Sequence, residues 1–118
     1  MRYLCLVYGE ERKLQSLSEA EKDQLDDDSI AYDRALEESG HLVVAEALES
    51  VRSSTRVQVR DDVVDVIDGP FAETKEQLLG FILIEAKDKD DAVGVASKIP
   101  LARLGTIEVR PIMTIGEK

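Results

Sequence analysis

Four charged side chains are candidates to meet at one unusual turn. The run Asp68-Gly69-Pro70-Phe71-Ala72-Glu73-Thr74-Lys75-Glu76 sets two carboxylates, Asp68 and Glu73, beside the ammonium of Lys75. Arg110 offers a further cation from the segment Gly105-Thr106-Ile107-Glu108-Val109-Arg110-Pro111. Asp68 and Glu73 can accept hydrogen bonds or act as a general base, while Lys75 and Arg110 can anchor an anionic group. The backbone of the turn is equally specific. Asp68 can accept from the amides that follow it, and Gly69, preceding a proline, is pushed towards extended conformations, including those open only to glycine. Pro70 fixes its own φ, and Phe71 is expected to anchor the turn in the core. Two readings stand side by side. Asp68, Phe71, Glu73, Lys75 and Arg110 form a ligand-binding pocket, or they form a turn fastened by ion pairs, across a dimer if there is one.

The other reactive residue types close off chemistries. Cys5 is the only cysteine and His41 the only histidine, so no internal disulfide and no Cys/His zinc site can form within one chain. Cys5 lies in the apolar run Tyr3-Leu4-Cys5-Leu6-Val7, where a small buried hydrophobe is the usual role. Asp26-Asp27-Asp28 suggests a metal, yet consecutive helical residues point about 100° apart and cannot converge on one ion. No calcium-loop spacing accompanies them, so they read as a solvated face. His41, between Gly40 and a strand, is either a general base near neutral pH or a partly exposed boundary residue. Neither a metal nor a bound cofactor is expected.

The elements that must position these groups follow from length and pattern. A chain of 118 residues suits one domain, here the whole of 1–118. Hydrophobic residues are 43% and charged residues 34%, a globular balance. The net charge of −10 argues against direct contact with nucleic acid, whose phosphates need clustered Lys and Arg. No apolar run is long enough to span a bilayer. The start MRYLCLVYGEE lacks a secretory pattern, so a cytoplasmic location is expected.

Arg2–Tyr8, ended by Gly9, reads as an interior strand. Ser18 with Glu21 forms a capping box that opens a helix running to Ser39, with Gly40 as its stop. Leu25, Ser29, Tyr32 and Leu36 make its buried stripe, with a polar gap at Ser29. Between Glu19 and Glu38 nine acids oppose two bases, which accounts for −7 of the total charge. His41–Leu48 is a second strand. Ser53–Arg60 and Val63–Ile67, joined by Asp61-Asp62, make a hairpin with one covered face carrying Thr55, Val57 and Val59. On its other face Arg56 and Arg60 are expected to pair with nearby aspartates. Gly80–Glu85 is a fifth strand. Asp88 caps a second helix burying Ala92, Val93, Ala96 and Ile99 and stopped by Pro100, and Thr106–Ile112 is the last strand, in which Pro111 suits a sheet edge or a strand end.

Without the hairpin the order is strand, helix, strand, strand, helix, strand. That is the ferredoxin-like split βαβ arrangement, an α+β fold with both helices on one face of an antiparallel sheet. Two helices cover one face only, yet Leu4, Leu6, Phe81 and Leu83 oppose Cys5, Val7, Ile82 and Ile84 on the other. Leaving such a set wet forfeits roughly 1.5–3 kcal/mol per large residue. A homodimer with facing sheets is the simplest cover, and it would enclose space for a small ligand.

The run Asp68–Phe81, with Gly105–Pro111 and the Arg2–Gly9 start, resembles the YCII-related family in its DGPF branch, over nearly the whole chain. The resemblance implies a dimeric α+β barrel, relatives of which include small monooxygenases and lactone isomerases that use the enclosed cavity. It also implies association with extracytoplasmic-function sigma factors, for which the acidic charge requires a protein contact rather than DNA. Some YCII-like relatives carry a His–Asp pair proposed as catalytic, with the His on the first helix. That helix has no histidine here, so the pair is not carried over. The leading expectation is a domain binding a small molecule in a regulatory setting. A small cofactor-free enzyme is the alternative, and a purely structural interaction module is the third reading. A pocket lined by Asp68, Glu73, Lys75 or Arg110 would separate them.

Overall fold

The structure, a computed structural model, describes residues 1–116. The last two residues of the expected 1–118 unit, Glu117 and Lys118, lie outside the described residues. Six strands and three helices follow in the order β1 (Arg2–Gly9), α1 (Glu11–Gln15), α2 (Glu19–Glu38), β2 (Leu42–Ala47), β3 (Thr55–Arg60), β4 (Val63–Asp68), β5 (Gln77–Glu85), α3 (Lys89–Ser97) and β6 (Thr106–Pro111). Strands β2-β5-β1-β6 form one antiparallel sheet, the ferredoxin-like order expected. The hairpin β3–β4 is a separate two-stranded sheet.

The long helix forms as its ends dictate. Ser18 Oγ accepts from the Glu21 amide at 3.1 Å while Glu21 Oε1 accepts from the Ser18 amide at 2.9 Å, a complete capping box. These bonds stabilise the Glu21 carboxylate and lower its pKa. At the other end Gly40 takes φ +82°, and the His41 amide donates back to the Leu36 carbonyl at 2.9 Å. Helix α3 starts at Asp88, whose side chain accepts from the Asp91 amide. Its buried positions are Ala92, Val95 and Ala96, with Ile99 beyond its end, whereas Val93 is 47% exposed. The expectation for Val93 was wrong, because one residue past Ala92 lies 100° round the helix, while Val95 returns to the same side. Helix α1 was not foreseen; five residues carry too little periodicity to read.

Leu36 of α2 and Ala92, Val95 and Ala96 of α3 pack on Tyr3, Cys5, Val7, Ile82 and Ile84, so both helices share one face of the sheet. Cys5 is fully buried there, and burial pushes its thiol up to about 11. It is a core residue, as expected. On the opposite face the register aligns Leu4 with Leu83, Leu6 with Phe81, Val44 with Leu83 and Glu46 with Phe81. The β6 partners on that face are Glu108 and Arg110. No helix covers it. The apolar residues Leu4, Leu6, Phe81 and Leu83 are half-buried by their neighbours alone, and Val44 is 38% exposed.

The hairpin departs from expectation. Asp61 (φ 50°) and Asp62 (φ 63°) form the turn predicted from sequence, and both lie in the left-handed region such a turn needs. The face expected to be covered is bare: Val57, Val59, Val64 and Val66 are 55–62% exposed. The hairpin stands away from the sheet, so its valine face stays open among the described residues. Nor do Arg56 and Arg60 pair with the aspartates, since among the described residues no salt bridge includes either. Among those residues no helix is long and apolar enough to cross a membrane.

Candidate functional site

A cleft of about 140 Å3 opens between α2 and the β2–β5 side of the sheet, closed at one end by Ile99, Pro100 and Leu101. Its construction starts from a ladder fault. Val7 pairs with Gly80 but Tyr8 pairs with Leu78, so Leu79 is an extra residue that leaves the ladder and lines the cleft. Gly80 next to it has no side chain to spare. A Cβ there would lie 2.6 Å from the Glu46 carbonyl oxygen, so only glycine lets β2 and β5 approach this closely. Val7, Ala45, Ala47 and Ile82 complete the apolar floor.

The polar wall comes from α2, where Ser29, Tyr32 and Asp33 fall within one turn and face the cleft together, with Glu46 contributed by β2. The polar gap at Ser29 in the expected stripe, of which Leu36 alone is fully buried, is therefore the place where the helix lines a space. Tyr32 donates its hydroxyl to the Val95 carbonyl at 2.6 Å, which ties α2 to α3 and fixes the ring at the cleft. Desolvation raises the pKa of both Tyr32 and Asp33, with the nearby Cys5 adding to the shift of Tyr32. A carboxyl that burial biases towards its neutral form, in an apolar cleft, can give or take a hydrogen bond or a proton. A second cleft of about 300 Å3 lies between α1 and the start of α2, lined by Leu14, Leu17, Leu25 and Lys22 among others.

The residues expected to form a site are scattered. Asp68 ends β4, where its Oδ1 lies 3.5 Å from the Thr55 hydroxyl. Gly69 takes φ +102°, the glycine-only region anticipated, and its amide donates to the Ser54 carbonyl at 2.7 Å. Phe71 is 80% exposed and anchors nothing in the core, because the turn sits at the base of the projecting hairpin rather than over the sheet. Lys75 pairs with Glu10 at 3.5 Å, not with Glu73 or Glu76. Arg110 lies on the uncovered sheet face opposite Leu4. None of Asp68, Phe71, Glu73, Lys75 and Arg110 lines either cleft.

His41 has partners that its position in the sequence did not reveal. Its Nδ1 lies 2.7 Å from Ser39 Oγ, and its Nε2 lies 3.2 Å from both carboxylate oxygens of Asp91. Asp91 also accepts from the Lys87 amide at 3.0 Å, and that bond, followed by the one to His41, lowers its pKa. The Ser–His–Asp chain has the residue types of a nucleophilic relay. Neither cleft reaches it, however, and Ser39 Oγ is also within 3.0 Å of the Leu36 carbonyl at the helix end. Its geometry is that of a clamp between the exit of α2 and the entry of α3. Fifty residues separate His41 from Asp91, so only the fold brings them together. Among the described residues no cluster of three or more His, Cys, Asp or Glu is placed to hold a metal.

Residues 1–115 match the YCII-related domain family. The uncharacterized protein R00369 of Rhizobium meliloti (strain 1021) is 36% identical to the chain over 115 residues, spanning 95% of this chain and 92% of that protein.

Proposed function

The chain belongs to the YCII-related domain family, and from that premise we propose that it is a homodimeric domain binding a small molecule in the cleft beside Tyr32 and Asp33. The observation that carries this reading is the pairing of an apolar cleft with a single desolvated carboxyl whose pKa is raised. At about 140 Å3 the cleft is smaller than the roughly 300–1,000 Å3 of drug-sized pockets. It suits a compact ligand: an apolar body carrying one amine, amide or hydroxyl that donates to Asp33. An anionic ligand is disfavoured, since Asp33 and Glu46 line the cleft and no cation does.

The dimer half of the proposal rests on the sheet face bearing Leu4, Leu6, Phe81 and Leu83, which a second copy would cover. We place the protein in the cytoplasm, in a regulatory setting with sigma factors reached through protein contacts. The net charge of −10 supports that route over DNA.

A thermal-shift screen of the wild type and Asp33→Asn against small amines, amides, phenols and carboxylic acids tests the binding half. A ligand that prefers the folded state raises the melting temperature. We expect a neutral or cationic compound to stabilise the wild type and to lose most of that effect with Asp33→Asn. A stabilising compound whose effect ignores Asp33, or stabilisation by anions alone, refutes the assignment of the cleft.

A further inference from the structure

We propose that the hairpin β3–β4 is an arm that seats on a second copy of this chain, its valine face packing on the partner's uncovered sheet. The proposal rests on the homodimer put forward above and says which segment clasps it.

The shape of the protomer is the first ground. Its radius of gyration is 16.4 Å, against about 13.5 Å expected for a compact chain of this length. Its extents of 50 × 47 × 19 Å are two layers thick and wide in the other two directions, so the arm projects sideways instead of folding back over its own sheet. An isolated two-stranded hairpin is at best marginally stable in water, and this one needs cover.

The register says which side is covered. Val57 pairs with Val66 and Val59 with Val64, putting four valines side by side on one face, while the other face mixes Arg56, Gln58, Arg60 and Asp65 with Val63 and Ile67. The four-valine face is the more uniformly apolar of the two and the better suited to a dry contact.

The occupant follows from what else is bare. Four valines more than half exposed make a patch of a few hundred Å2, the size that marks an interaction site on a monomer. The uncovered sheet face is a second patch on the same chain. A standard interface takes roughly 800 Å2 from each partner, and the arm and the sheet face together offer more apolar surface towards that than either alone. A two-fold axis satisfies both at once, because the arm of each copy meets the sheet of the other. Asp61 and Asp62 at the arm's tip oppose insertion into a membrane, and the net charge of −10 opposes nucleic acid.

The test compares the wild type with Val57→Lys/Val66→Lys and with Arg56→Lys/Gln58→Lys, by sedimentation over a range of concentrations and by circular dichroism. Both valines are exposed in the protomer, so its fold should survive. We expect a wild-type dimer, a dissociation constant at least about tenfold higher for the valine pair, and little change for the Arg56 and Gln58 pair. Mixed isotope-labelled dimers should then show contacts between the valine methyls of one copy and the Phe81 ring of the other. A wild-type dimer unmoved by the valine pair overturns the arm and leaves the dimer standing. A wild-type monomer at about 100 µM overturns both. Contacts from the valines to a surface other than the sheet refute the seating.

Discussion

His41 Nε2 sits 3.2 Å from each carboxylate oxygen of Asp91, and this one contact joins the end of the first long helix to the start of the last. Both side chains are about three-quarters buried, at 24% and 27% exposure. Asp91 carries the pH dependence. Its folded pKa is lowered, first by the Lys87 amide and then by His41, so its stabilising contribution is full above the unfolded value of about 3.9 and is lost as pH falls through the folded pKa. We expect His41→Ala and Asp91→Asn each to lower the melting temperature near neutral pH. The gap between wild type and Asp91→Asn should close in acid, below about pH 4. A clamp shifts stability and leaves ligand binding in the cleft intact. Loss of binding or turnover at unchanged stability would instead make His41 a functional base.

Asp33 should behave in the opposite sense. Burial raises its folded pKa, so relative to the unfolded chain its contribution is fully present below about pH 3.9 and declines as pH rises through the folded value. Asp33→Asn is therefore expected to melt higher than wild type at pH 7 and to match it at about pH 3, in thermal melts recorded across that range. Equal melting temperatures at both ends would mean that the carboxyl is better solvated than the cleft suggests.

The capping box offers a local test of what organises α2. Ser18→Ala removes the acceptor for the Glu21 amide and leaves that donor to water. The expected cost is about 1 kcal/mol in denaturant unfolding. The Glu21 pKa should rise only in part, because the bond from the Ser18 backbone amide, the larger cause of its depression, survives and only the side-chain bond is lost.

What could be read in the sequence and what could not divide along the reach of the interactions. The capping box, the Gly40 stop, the Asp61-Asp62 turn and the Asp88 cap are decided within a few residues, and each is present where the pattern put it. The uncovered sheet face was legible too, since alternation alone sets Leu4 and Leu6 against Cys5 and Val7. The cleft was not. It depends on Leu79 falling out of the β1–β5 ladder and on the spacing of α2 from β2, neither of which is written in any local run. Its one sequence trace is Ser29, a polar residue inside an otherwise apolar stripe. How the charged turn is assembled was not legible for the same reason. Asp68, Lys75 and Arg110 are close in kind but are carried by a projecting arm, a loop beside Glu10 and an edge strand.

Two glycines make predictions of opposite sign. Gly105 lies where the chain turns from the Pro100–Arg103 helical turn into β6, and it passes directly over the end of β1. A Cβ on Gly105 would overlap the Tyr8 carbonyl oxygen and press on the Gly9 Cα, and both are backbone, unable to rotate away. Relief requires β6 to lift from β1 near the Tyr8–Thr106 pair, beside the Leu79 irregularity that shapes the cleft. Gly105→Ala is therefore expected to cost about 1–3 kcal/mol, at the upper end because no flexible side chain absorbs the strain. Gly94 lies inside α3 with open space around its missing side chain. Alanine there gains helix propensity without a clash, and Gly94→Ala should stabilise by about 0.5–1 kcal/mol. Chemical denaturation of the two variants, read at unchanged slope, separates the cases. Equal tolerance at both sites would mean that β6 does not approach β1 as closely as the backbone positions require.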